Sequence, residues 1–70
     1  MNKPLIRSVI VRNNDTQEAL ASALKLPQSA LSNRINGKID FRVSEIVCIR
    51  KRYNLTNDET AQIFFDSVVS

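Results

Sequence analysis

Gln28, Ser29, Ser32, Asn33 and Asn36 fall within nine residues of one another, and none carries a charge. Each offers an amide or a hydroxyl, groups that donate and accept hydrogen bonds at defined points. At 100° per residue they occupy an arc of about 140° on one side of a helix. Leu31 and Ile35 fall on the other side, where a core would lie. Lys and Glu would keep such a helix soluble while favouring its formation. Ser and Asn do the reverse, because their side chains compete with the backbone for its hydrogen bonds. That loss of helix stability suggests a second role for the face. Short amides and hydroxyls suit the edges of nucleobases: Gln and Asn bond adenine at N6 and N7, and Ser meets either base pair. On these residues alone, a solvated helix of accidental composition stays open as the alternative.

Charge along the chain sharpens the choice. The net charge of +3 resolves into +3 over residues 1–14, −2 over 15–24, +5 over 25–52 and −3 over 53–70. A basic middle and an acidic end point to a polyanion facing the middle. Lys38 and Arg42 follow the polar run closely, where bases could hold phosphates while the neutral face enters a groove. Arg50, Lys51 and Arg52 form the densest base cluster. Three consecutive helical residues point in three directions, so a solvated cluster favoured by the helix dipole is preferred there to a phosphate clamp.

The same residues exclude other chemistry. With no His, one Cys (Cys48) and no Gly-rich phosphate loop, neither a zinc constellation nor an activated nucleophile is expected. No enzyme, metal or cofactor is expected, and Cys48 is read as a small hydrophobe or surface thiol in a reducing compartment. The first residues, MNKPLIRSVIVRNND, hold an apolar run broken by Arg7 and Arg12, too short for a signal peptide or a membrane span. A cytoplasmic location, without membrane attachment, is the expectation.

These residues must be positioned by a small all-α domain, since no run alternates with period two. Seventy residues, 43% of them hydrophobic, make one folded domain spanning residues 1–70. Five helices are predicted. The first starts near Pro4, turns Leu5, Ile6, Val9 and Ile10 inward, and ends at Asn13-Asn14. The second begins at Asp15 or Thr16, where Asp15 with Glu18 resembles a capping box, and buries Leu20, Ala21 and Leu24. After a tight turn over Lys25 to Pro27, the third ends at Gly37 as a left-handed cap. Phe41 anchors the next loop. A fourth helix over about Val43 to Tyr53 buries Ile46, Ile49 and Tyr53. Thr56 and Glu59 make a capping box for the last, which runs through Phe64 and Phe65. Phe64 is expected to close the core, with Phe65 and Val68 beside it and Ile63 and Val69 pointing elsewhere.

A helix containing a small residue (Ala21), a short turn and a second helix have the spacing of a helix-turn-helix over about residues 16–36. Here the sequence resembles the lambda-repressor-like, or XRE/Cro-type, DNA-binding family. The resemblance covers Leu5 to about Phe65 and is most specific at Thr16-Gln17-Glu18, Leu20-Ala21, Leu24, Leu26, Leu31-Ser32 and Asn36-Gly37. The closing segment, FRVSEIVCIRKRYNLTNDETAQIFF, looks like that of small phage regulators from Gram-positive hosts. The resemblance implies a compact five-helix fold and a Cro-like phage repressor that binds a pseudo-palindromic operator through the major groove. It implies that Gln28, Ser29, Ser32 and Asn33 face the bases. Gln17 would meet a phosphate and brace Gln28, and Asn36 would clamp another; Lys38 and Arg42 complete the phosphate set. The chain departs from the family at Lys25, where Gly is usual and Lys at positive φ is strained by roughly 1–2 kcal/mol. Arg34 takes a usually apolar position, Ile35 follows where a charge is common, and Asp15 precedes the Thr-Gln pair in place of an apolar residue. Either the third helix is slightly rotated or Ile35 packs on Ile10.

Partners follow from the same reading. Two-fold dimers match operators with half-sites about 34 Å apart, so a homodimer is expected, with Phe65, Val68 and Val69 as its interface or that of another partner. The rival expectation is a modulator, or antirepressor, that captures another phage repressor protein rather than binding double-stranded DNA alone.

Overall fold

The computed structural model describes residues 3–65, which form five helices and no strand. These are α1 (Lys3–Arg12), α2 (Gln17–Ala23), α3 (Gln28–Ile35), α4 (Val43–Tyr53) and α5 (Asn57–Phe64). The all-α class, the helix count and the helix order are as expected from sequence.

The helix starts are chemical. Thr16 Oγ1 accepts the Ala19 N–H at 3.1 Å, so Thr16 caps α2. Asp15 does not make the capping box expected with Glu18; its carboxylate is turned toward α4 instead. At α5 the expected box is present: Thr56 Oγ1 accepts the Glu59 N–H and Glu59 Oε1 accepts the Thr56 N–H, both at 3.1 Å. Pro27 opens α3 with φ −59° and no N–H to satisfy.

Four of the helices end on one motif. A residue in the left-handed region follows each: Asn14, Lys25, Gly37 and Asn54, with φ between 52° and 81°. In each case the next N–H reaches back five residues: Asp15 to Ile10, Leu26 to Ala21, Lys38 to Asn33 and Leu55 to Arg50, at 2.9–3.0 Å. This Schellman arrangement satisfies carbonyls that the helix itself leaves unpaired and reverses the chain sharply. Asn and Gly tolerate the conformation, but a Lys Cβ meets the strain expected of Lys25.

The short turns fold the helices around one core of Ile6, Val9 and Ile10 (α1), Leu20 and Ala21 (α2), Leu31 and Ile35 (α3), Ile49 and Tyr53 (α4), Leu55 and Ile63. Ile35 lies in the same buried cluster as Ile10, the second of the two placements expected for it from sequence. Phe41 and Phe64 pack on the edge of this core, ring centroids 5.3 Å apart and nearly perpendicular. Three sequence expectations are corrected. Ile63, expected to point away, is fully buried, while Phe65 is 45% exposed: the inward face of α5 passes through Thr60 and Ile63. Leu24 and Ile46, both expected to be buried, are only half-buried; on α4 Ile49 and Tyr53 define the inner line, and Leu24 packs on the edge of the core.

Candidate nucleic-acid interface

α2 and α3 pack together across the turn Leu24 to Pro27, the helix-turn-helix arrangement expected over residues 16–36. Leu31 and Ile35 point into the core with essentially no exposure. Gln28 and Ser29 are exposed on α3, and Ser32, Asn33 and Asn36 are half-buried. Gln17 is half-buried at the start of α2; Lys38 and Arg42 are exposed in and just after the loop that leaves α3. The expected brace between Gln17 and Gln28 is not formed: no hydrogen bond joins them among the described residues, and each is left to meet solvent or a ligand. Val68 and Val69, two of the three interface residues expected from sequence, lie outside the described residues.

What holds this face was not legible from its own residues. Arg34 is buried, and its Nε donates to Glu45 Oε1 at 2.9 Å, with both side chains no more than about 10% exposed. The same Glu45 oxygen accepts the Arg42 backbone N–H at 2.8 Å, and Arg34 Nη1 also donates to the Ala30 carbonyl at 3.2 Å. One carboxylate thus ties the last turn of α3 to the first turn of α4. A buried pair of this kind adds little net stability, yet removing one partner strands a charge. The unusual Arg34 is therefore a structural pin. Its signal in the sequence was a base at an apolar position with an acid eleven residues later.

A second tie comes from α1. Arg7 Nη2 donates to Asn36 Oδ1 at 2.7 Å, and Asn36 Nδ2 donates to Ser32 Oγ at 3.3 Å. Two residues expected to meet DNA are thereby joined to each other and to Arg7, which sequence spacing did not single out.

The base cluster at the end of α4 is also more structured than expected. Arg50 and Lys51 are exposed, as a solvated cluster should be. Arg52 instead grips Asp15 with two hydrogen bonds, 2.8 and 3.1 Å, and Tyr53 donates its hydroxyl to the same carboxylate at 2.6 Å. Arg52 and Tyr53 hold the Asp15 carboxyl well below the usual carboxylate range. Burial and the neighbouring carboxylate push the Tyr53 hydroxyl above its ordinary value, so it stays a donor. This network fixes the α1–α2 connection, and hence the start of the helix-turn-helix, to α4. Asp15, unusual before a Thr-Gln pair, has its explanation there.

Residues 5–67 match the family described as "Protein of unknown function (DUF739)". The chain belongs to this family. The match takes in every element of the DUF739 chain that touches the α3 face, from Arg7 to Glu45. No curated protein and no solved structure matches the chain. Among the described residues of this DUF739 protein no group of side chains could hold a metal ion, and no helix is long and apolar enough to cross a membrane.

Proposed function

We propose that this chain is a sequence-specific DNA-binding regulator whose α3 enters the major groove. The observation that carries the reading is the outer face of α3. It presents a neutral row of amides and hydroxyls on a helix pinned by Arg34–Glu45 and by Arg7–Asn36. Gln28, Ser29, Ser32 and Asn33 would meet base edges. Gln17, Asn36, Lys38 and Arg42 would set register on phosphates. The likeness to XRE/Cro-type domains noted in the sequence supports the same assignment, and a Cro-like repressor of phage origin is its specific form. A two-fold operator calls for a second copy of the chain, and exposed Phe65 is the described part of the surface proposed for it.

The test is selection of the purified chain against a random-sequence duplex library, followed by fluorescence anisotropy on the enriched duplex. An enriched pseudo-palindrome, bound with a steep salt dependence, is the expected result. Gln28→Ala should cost about 1–3 kcal/mol and relax preference at one base pair. No enrichment, with equal weak binding to all duplexes, would remove the reading.

A second reading has its own observation. Val43 and Val47, one turn apart on α4, are 78% and 43% exposed, and Ile39 nearby in sequence is 47% exposed. Apolar side chains so exposed favour a protein partner, as a modulator that captures another repressor would need. Binding that occurs only when such a repressor is added to the anisotropy assay would select this reading over direct recognition.

A further inference from the structure

The Arg7–Asn36–Ser32 chain has a direction, and the direction follows from elementary donor and acceptor chemistry. A guanidinium donates only, so the Asn36 atom facing Arg7 at 2.7 Å must be the carbonyl oxygen. The amide nitrogen then faces Ser32, at 3.3 Å, and an amide N–H2 also only donates. Ser32 Oγ is therefore an acceptor toward Asn36, and its own O–H remains to be given. Helical hydroxyls often return that proton to the carbonyl four residues earlier, as Thr60 does to Thr56 at 2.8 Å. Ser32 makes no such bond among the described residues. Its O–H stands on the outer face of α3, half-buried beside Asn33 and below the exposed Ser29.

We infer that Arg7, through Asn36, sets Ser32 as a hydrogen-bond donor, so that Ser32 selects an acceptor on a base edge and Arg7 is a specificity-determining residue on α1. The inference rests on the DNA-binding reading above. In the major groove, guanine offers N7 and O6, thymine offers O4, and cytosine offers only an amino donor. Ser32 thus favours guanine or thymine over cytosine at the position it meets, since one of its two lone pairs is already taken by Asn36. Adenine carries an acceptor and a donor side by side and is accommodated with either polarity. A serine free to rotate would accept all four bases; the relay from α1 occupies one of the two Oγ lone pairs and so biases the hydroxyl toward donating.

The test compares three variants of the full chain with the wild type by library selection and by anisotropy on duplexes differing at single positions. In Asn36→Asp one carboxylate oxygen still accepts from Arg7, but the other now accepts the Ser32 proton. Ser32 then shows lone pairs only, and the preference at one position should turn from guanine or thymine to cytosine. Total affinity should also fall, because a negative charge is added near phosphates. Arg7→Leu releases the amide to flip, so that a preference of about five- to tenfold, the worth of one hydrogen bond, should fall to about twofold or less. Ser32→Ala should abolish the preference at that same position. Arg7 is exposed, so its variant tests the relay without disturbing the core. If the wild type selects no sequence, the DNA-binding reading falls and this inference with it. If the wild type selects a site, but Asn36→Asp and Arg7→Leu leave every positional preference unchanged, the inference alone is overturned.

Discussion

Removing Glu45 should damage this domain far more than its single ion pair suggests. In Glu45→Ala the Arg34 guanidinium stays buried with only the Ala30 carbonyl left to it, and the Arg42 N–H loses its acceptor. Breaking one side of a buried pair costs about 3–5 kcal/mol. The whole core of a 70-residue domain supplies only about 3–5 kcal/mol of net stability. Glu45→Ala should therefore be largely unfolded at 25 °C. Glu45→Gln keeps the shape and an acceptor but removes the charge, so its loss should be smaller, about 1.5–3 kcal/mol. Replacing both partners with apolar residues of similar length, Arg34→Met with Glu45→Leu, should recover most of the stability, because no charge is then buried. Urea unfolding followed by far-ultraviolet circular dichroism on the single variants and the double variant closes the cycle. The reasoning fails if Glu45→Gln loses less than about 0.5 kcal/mol, or if the double variant loses as much as its two halves added together.

Three further outcomes are expected. Asp15→Asn should lose about 1–2 kcal/mol at pH 7, the value being tempered because Arg52 is one-third exposed. Since the Asp15 pKa is lowered on folding, its stabilisation is full above the ordinary carboxylate pKa, begins to fall below about pH 4 and is lost only as pH drops through the lower folded-state pKa. The gap between wild-type and variant urea midpoints should therefore be narrower at pH 3 than at pH 7 and go on narrowing as the pH is lowered further, and a constant gap would refute the assignment. Lys25→Gly should raise stability by roughly 0.5–1 kcal/mol, the relief of left-handed strain less the added chain entropy of Gly, read as a Tm rise of about 2–8 °C; an unchanged or lower Tm would show that φ 57° is not strained here. The Arg34→Met, Glu45→Leu double variant should keep its fold yet bind preferred and scrambled duplexes more nearly alike, measured by anisotropy, whereas undiminished discrimination would mean that the pin does not orient α3.

Much of this architecture was written in local signals. Thr56 with Glu59, Pro27, Asn14 and Gly37 are residues whose backbone preferences act over three or four positions, and each marks the helix boundary it implies. Leu31 and Ile35 declared the inner side of α3 by spacing alone. The errors have a common cause. Asp15 and Glu18 have the spacing of a capping box, but Thr16 stands one residue later and Arg52 and Tyr53, far along the chain, compete for the Asp15 carboxylate. Ile63 and Phe65 are both apolar, and which one is buried depends on the angle at which α5 meets α1, a tertiary quantity. Arg7 and Asn36 lie 29 residues apart, with nothing in their neighbourhoods to couple them. Local chemistry names the residues of the face; the ties that fix its orientation are long-range.

Those ties share a physical character that bears on what the face is for. An apolar residue at position 34 would hold α3 against the core about as strongly, since dispersion and burial depend little on direction. It would also let the helix turn by some degrees at small cost. A guanidinium nitrogen 2.9 Å from one carboxylate oxygen tolerates much less rotation, because hydrogen bonds weaken steeply off axis. Arg7 on Asn36 adds a second directional restraint from a different helix. Two charged side chains spent on the rotation of one eight-residue helix make sense if its outer groups must meet partners at fixed points. Base edges pose that demand, since their donors and acceptors are only a few ångströms apart and a misaligned amide reads the wrong one.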